Sequence, residues 1–222
     1  MITKLFSSIL NTDKSASLPT KSKLQPGDLI QFGMYPQESE IDCSPIEWIV
    51  LATDNSTALC ISKYCLITSG YCDPQKLYNK PELLWYENSL AREICNHHFF
   101  DTAFSDMEKA KIIPRKISGI SLGAECVDSV FLLSEHEVQH YFPEISQRKS
   151  MPTPYAIQKG ARLGWTDDTK EFTSWWLLPQ ENAYGCIFPK AIFQTGDVQF
   201  HGRNIYHTDF TIRPCIQIKT NK

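Results

Sequence analysis

The chain has 222 residues, 42% of them hydrophobic and 12% aromatic, with a formal net charge of -3 and a pI of about 6.1. One core can serve a chain of roughly 250 residues, so a single domain is expected, with too much apolar content for disorder. The acidic balance argues against a nucleic-acid partner, and no apolar run approaches the ~20 residues of a membrane span.

Met1–Leu10 carries one Lys and an interrupted apolar stretch, with no small-residue cleavage site, so no secretory signal is read there. Residues 1–25, rich in Ser, Thr and Lys from Asn11 to Lys23, are expected to form a flexible leader, and residues 26–222 one domain. The eight cysteines are scattered without a CxxC pair. A core of this size needs no disulfide staples, so reduced, mostly buried thiols and a cytoplasmic location are expected.

The folded part opens at the Pro26-Gly27 turn. Strands are predicted over Asp28–Phe32 and Ile46–Thr53, the second with Ile46, Trp48 and Val50 on one face; Gly33–Ser44 reads as a loop. Asp54-Asn55-Ser56 is a turn and Thr57–Ser62 the returning strand. A loop over Lys63–Leu84 leads to a helix capped by Asn88 or Ser89 and running to about Phe99, with Leu90 and Ile94 inward.

Ser105-Asp106-Met107-Glu108 and Ser134-Glu135-His136-Glu137 fit capping boxes, opening helices that stop before Pro114 and Pro143. Val130–Leu133 between them reads as a buried strand. Thr153-Pro154 starts another helix, with Gly160 as its stop. Strands are predicted over Trp175–Leu178, Ala183–Phe188, Val198–Phe200 and Thr211–Ile218, with a turn at Thr195-Gly196-Asp197. Pro214 inside the last marks it as an edge strand or a bulge. Strands first and last around a central helical segment give an α+β fold.

Seven segments in order carry a family resemblance: Gly27–Gln37, Pro45–Leu51, Tyr86–Ser105, Val130–Ser134, Pro152–Ala156, Trp175-Trp176-Leu177 and Ile212-Arg213-Pro214. On these the chain resembles the DUF6273 family, a bacterial domain of uncharacterised function. The last two motifs also look like the C-terminal half of C-type lectin-like domains, a group that includes the formylglycine-generating-enzyme type fold. The resemblance implies that the chain between those motifs projects as ligand-contacting loops. This sequence departs from the pattern at Leu178-Pro179-Gln180, Thr211 and Cys215.

The stretch from Gln180 to Phe210 gathers the side chains that recognition surfaces favour. Rings give contact area at low entropic cost, and guanidinium gives a bidentate fork. Tyr184, Phe200, His201, Arg203, Asn204, Tyr206 and His207 are the candidate ligand-binding residues. The same aromatics could instead pack beneath a long loop. Glu47, Trp48, Arg92, Trp175, Trp176 and Arg213 are candidate structural residues, with Glu47 or Glu87 expected to pair with a buried Arg213.

Cysteine spacing and the adjacent His97-His98 do not form a zinc pattern, and no acidic cluster suits calcium, so no metal or other cofactor is expected. The expected function is a non-catalytic module that binds a protein or glycan through its C-terminal loops. The alternatives are a cysteine-dependent enzyme, with Cys186 or Cys215 beside His201 or His207 and Asp209, and an adaptor docking by its leader.

Overall fold

In the computed structural model, the described residues are 23–77, 85–117, 125–181, 187–200 and 207–220. The strands are β1 (Leu29–Pro36), β2 (Cys43–Thr53), β3 (Thr57–Ser62), β4 (Ile67–Thr68), β5 (Arg115–Ile117), β6 (Cys126–Asp128), β7 (Val130–Phe131), β8 (Trp175–Glu181), β9 (Ile187–Ile192), β10 (Val198–Phe200), β11 (Thr211–Ile212) and β12 (Cys215–Lys219). The helices are α1 (Pro74–Leu77), α2 (Leu90–Glu93), α3 (Phe100–Ala103), α4 (Asp106–Lys109), α5 (Glu135–Tyr141), α6 (Ile145–Arg148) and α7 (Pro154–Gln158), with a π-helical turn, Ile94–Phe99, joining α2 to α3. This is an α+β architecture.

One five-stranded sheet runs β1-β2-β3-β12-β7 and a second runs β10-β9-β8-β11-β4; β5 and β6 form a separate hairpin. Every pairing between these strands is antiparallel except β8 with β11. The single predicted C-terminal strand is two strands in two sheets. Pro214 has no N–H to extend a ladder, and the chain changes sheet there: Thr211 pairs with Trp175 and Thr68, whereas Cys215 pairs with Ile61 and Phe131. Neither half is at an edge, so the edge expectation is corrected.

β1 and β2 are longer than predicted, because Gly33 lets the chain continue through a bulge instead of leaving the sheet. Gly33 has φ of 73° and its N–H donates to the buried Glu108 carboxylate at 2.9 Å. A Cβ there would sit 2.7 Å from the Ala103 carbonyl oxygen. The same carboxylate closes the expected capping box, accepting from Ser105 N–H and Oγ at 2.9 and 2.7 Å. The Ser134 box and the Thr153 cap also form as expected, with Thr153 Oγ1 accepting from Ala156 N–H. Gly160, at φ 102°, ends α7.

Alternation on β2 places Ile46, Trp48 and Val50 in the core, and Trp48 Nε1 donates to the Phe32 carbonyl at 2.7 Å. The fully buried face after Ser89 is Ala91, Cys95 and Phe99; Ile94, half-buried, packs against that core as expected, and Leu90 is half-buried. Ser89 caps through Arg92 N–H, and the Ala91 N–H docks on the Tyr71 carbonyl, which turns the small residue inward. β9 continues past the predicted end at Phe188 to Ile192, while residues 183–186 of the predicted strand lie outside the described residues; Lys63–Leu84 contains β4 and α1 rather than loop alone.

Candidate functional site: the rim between Arg162 and Asp209

The C-terminal site grows outward from the core. Trp176 is fully buried and its Nε1 donates to the Ser69 carbonyl at 2.9 Å. Phe210 packs on it with ring centroids 4.8 Å apart, and Phe193 meets Phe210 edge-on at 5.5 Å. The half-buried His207 imidazole stacks on the same Phe210 ring at 4.7 Å and 6°. Its Nδ1 lies 2.9 Å from Asp209 Oδ1.

Asp209 then reaches a second segment. Its carbonyl accepts from Arg162 N–H at 3.0 Å, and its Oδ2 lies 3.5 Å from an Arg162 guanidinium nitrogen. That guanidinium sits 4.4 Å above the Trp165 ring. Trp165 is 80% exposed, an unusual position for the largest apolar side chain.

The loop that presents Trp165 is closed on itself. Gly164 N–H donates to the Phe172 carbonyl and Phe172 N–H to the Thr169 carbonyl. Thr169 Oγ1 accepts from Thr166 N–H at 3.2 Å and the two hydroxyls lie 2.8 Å apart. Only glycine fits at 164, because a Cβ would stand 2.3 Å from Thr169 Oγ1. The indole is thus held out from a braced loop rather than from a free tail. Opposite charges within this rim meet locally, Arg162 with Asp209 and Lys170 with Asp167.

Of the predicted ligand-binding residues, Tyr184, His201, Arg203, Asn204 and Tyr206 lie outside the described residues. Phe200 ends β10, and its side chain is also outside the description. His207 is joined to Asp209, and Phe193 and Phe210 pack inward, so part of the aromatic surplus of this segment fills the core. Sequence reasoning did not select Arg162 or Trp165. Gly164-Trp165-Thr166-Asp167-Asp168, a Trp among turn formers, is the signal that could have found them.

The predicted structural residues occupy distinct places. Arg92 grips Asp128, whose side chain is fully buried, through Nε and a terminal nitrogen at 2.9 and 2.6 Å. Trp175 is buried and donates to the Arg148 carbonyl. Arg213 is buried, but the expected pairing with Glu47 or Glu87 does not form. Glu47 pairs with Lys63 at 2.8 Å near the surface, and Glu87 gives its carbonyl to Arg92. Arg213 instead donates to the Ser62 and Lys63 carbonyls at 2.9 and 3.4 Å, between the rings of Trp175 and Phe142, whose centroids are 5.3 and 5.5 Å away. Carbonyl dipoles and ring quadrupoles, which need no second buried charge, replace the carboxylate. Burial pushes the Arg213 pKa down.

The thiols divide by environment. Cys60, Cys65, Cys72, Cys95, Cys126 and Cys215 are buried, and loss of hydration raises each, Cys60 to about 12 and Cys72 to about 11. A raised thiol is mostly protonated at neutral pH and a poor nucleophile. Cys43 is exposed, and Cys186 lies outside the described residues. Among the described residues, no three His, Cys, Asp or Glu side chains are grouped to hold a metal ion, and no helix is long and apolar enough to cross a membrane.

Comparison with curated proteins and with solved structures finds no match. A family model described as a domain of unknown function, DUF6273, matches residues 55–220. Five of the seven resembling segments fall inside that match, and β1 and β2 precede it. The chain, matched over most of its length and along both halves of the rim, belongs to the DUF6273 family.

Proposed function

We propose that this domain is a non-catalytic binding module that recognises a protein or glycan through its C-terminal loops, with Arg162 and Trp165 joined to them through Asp209. The observation that carries the reading is the contact series Trp176, Phe210, His207, Asp209, Arg162 and Trp165, which ties the described end of that segment to a braced, exposed indole. A solvated Trp forgoes about 1.5–3 kcal/mol of burial free energy, so its rigid display fits a surface completed by a ligand. The reading includes the C-type lectin-like fold that the Trp175-Trp176-Leu177 and Ile212-Arg213-Pro214 motifs suggest, and a cytoplasmic bacterial setting.

Affinity capture from the native host with the wild-type domain, Trp165→Ala and Arg203→Ala/Tyr206→Ala tests it. The captured species is expected to be lost from both variants at unchanged thermal stability. Capture that is identical in all three rejects the assignment of this site.

A further inference from the structure

We propose that Trp165 is a stacking platform for an uncharged saccharide ring, with the Arg162, His207 and Asp209 side chains at its polar margin; this rests on the binding-module reading and names its ligand class. The Arg162 guanidinium covers one face of the indole at 4.4 Å, and with 80% of the residue exposed the opposite face is open to solvent. Guanidinium and loop hold the ring in one orientation, so little rotamer freedom remains to be lost on binding.

The surroundings of the ring select the chemistry. A protein hot spot sets its aromatic anchor among other apolar side chains that exclude water. Here the residues that follow it, Thr166, Asp167 and Asp168, are exposed and polar. An anionic ligand would need an unmatched cation. Arg162 and His207 both contact Asp209, and Lys170 contacts Asp167 at 3.0 Å. What this leaves is one electron-rich ring face bordered by hydrogen-bonding groups. A pyranose has the complementary form: the C–H bonds on one face are weakly electropositive and match the negative face of the indole, while its hydroxyls point outward to polar partners.

The test uses the whole chain in native affinity electrophoresis through gels containing a neutral β-glucan, xylan, galactomannan or glycogen. Titration with the matching oligosaccharide follows, read by acrylamide quenching of tryptophan emission. At least one polysaccharide is expected to retard the wild type. The oligosaccharide should shield Trp165 from quencher, Trp165→Ala should weaken binding about tenfold or more, and Trp165→Phe should recover part of it. Thermal unfolding of both variants should match the wild type. No retardation in any gel, or equal retardation of Trp165→Ala, overturns the proposal. If no polysaccharide binds but a protein captured from the host is lost with Trp165→Ala, the saccharide assignment fails and the binding module stands. If neither polysaccharide nor captured partner depends on Trp165, both fail.

Discussion

Two arginines among the described residues lie over tryptophans, and their settings are opposite. Arg213 is 3% exposed, faces Trp175 and Phe142, and has backbone carbonyls but no carboxylate among the described residues. Arg162 is exposed, faces Trp165, and has Asp209. In the interior the planar cation joins β3 to the turn before β12, and the rings shield it from water. At the surface the same pairing leaves an aromatic face uncovered. The contrast teaches that a stacked guanidinium can either close a core or hold a ring open, depending on which face of the ring the fold covers.

The contrast is broken most severely at Arg213. Arg213→Lys keeps a charge but loses the fork that spans two carbonyls and the plane that stacks, so it should cost about 3–5 kcal/mol in chemical denaturation. Arg213→Met removes the charge and leaves carbonyls unsatisfied, and should cost less, about 1–3 kcal/mol. If Lys is the better tolerated of the two, the stacking account of the interior site is wrong.

Alkali separates the same two regions. Burial raises the Cys60 thiol from 9.0 to about 12, Cys72 from 9.0 to about 11 and the Tyr35 hydroxyl from 10.0 to about 12. The folded state therefore keeps protons that the unfolded chain releases. Stability is full below the ordinary thiol value and falls as pH rises toward the folded values, by about 1.4 kcal/mol per pH unit for each such group. Urea midpoints should decline steadily above pH 9, whereas midpoints that do not move would refute the burial of these groups.

Smaller effects belong to the rim. Gly164→Ala forces a methyl against Thr169 and should cost about 1–3 kcal/mol, with a change in Trp165 emission as the loop opens. Trp165→Ala should change stability by less than about 0.5 kcal/mol, small for the loss of a tryptophan, because the ring contributes little buried area. A large drop in melting temperature would mean that the indole serves the core and is not displayed.

The parts of this fold that the sequence made legible are those set by neighbours in the chain. Ser134 with Glu137, Thr153 with Pro154, and the alternation at Ile46, Trp48 and Val50 each specify their own geometry. The parts that were not legible depend on distant residues. The turn to Ala91, Cys95 and Phe99 is set by the Tyr71 carbonyl, and the strand extension past Phe32 by Glu108. A buried arginine points to an acidic partner, yet Arg213 meets two carbonyls and two rings, and its Nη1 has no hydrogen-bond partner among the described residues. In the candidate site, composition drew attention to Gln180–Phe210, whereas the exposure of Trp165 follows from a loop braced across Gly164, Thr169 and Phe172, which no periodicity records.

The change of sheet at Pro214 also sets an order of assembly. β12 fills the place between β3 and β7, and β11 the place between β8 and β4. A nascent chain that has emerged only as far as residue 210 exposes four ladder edges with nothing to occupy them. Neither sheet can close until residues 211–219 clear the ribosome, so this domain folds late in its own synthesis and relies until then on its hairpins and capped helices.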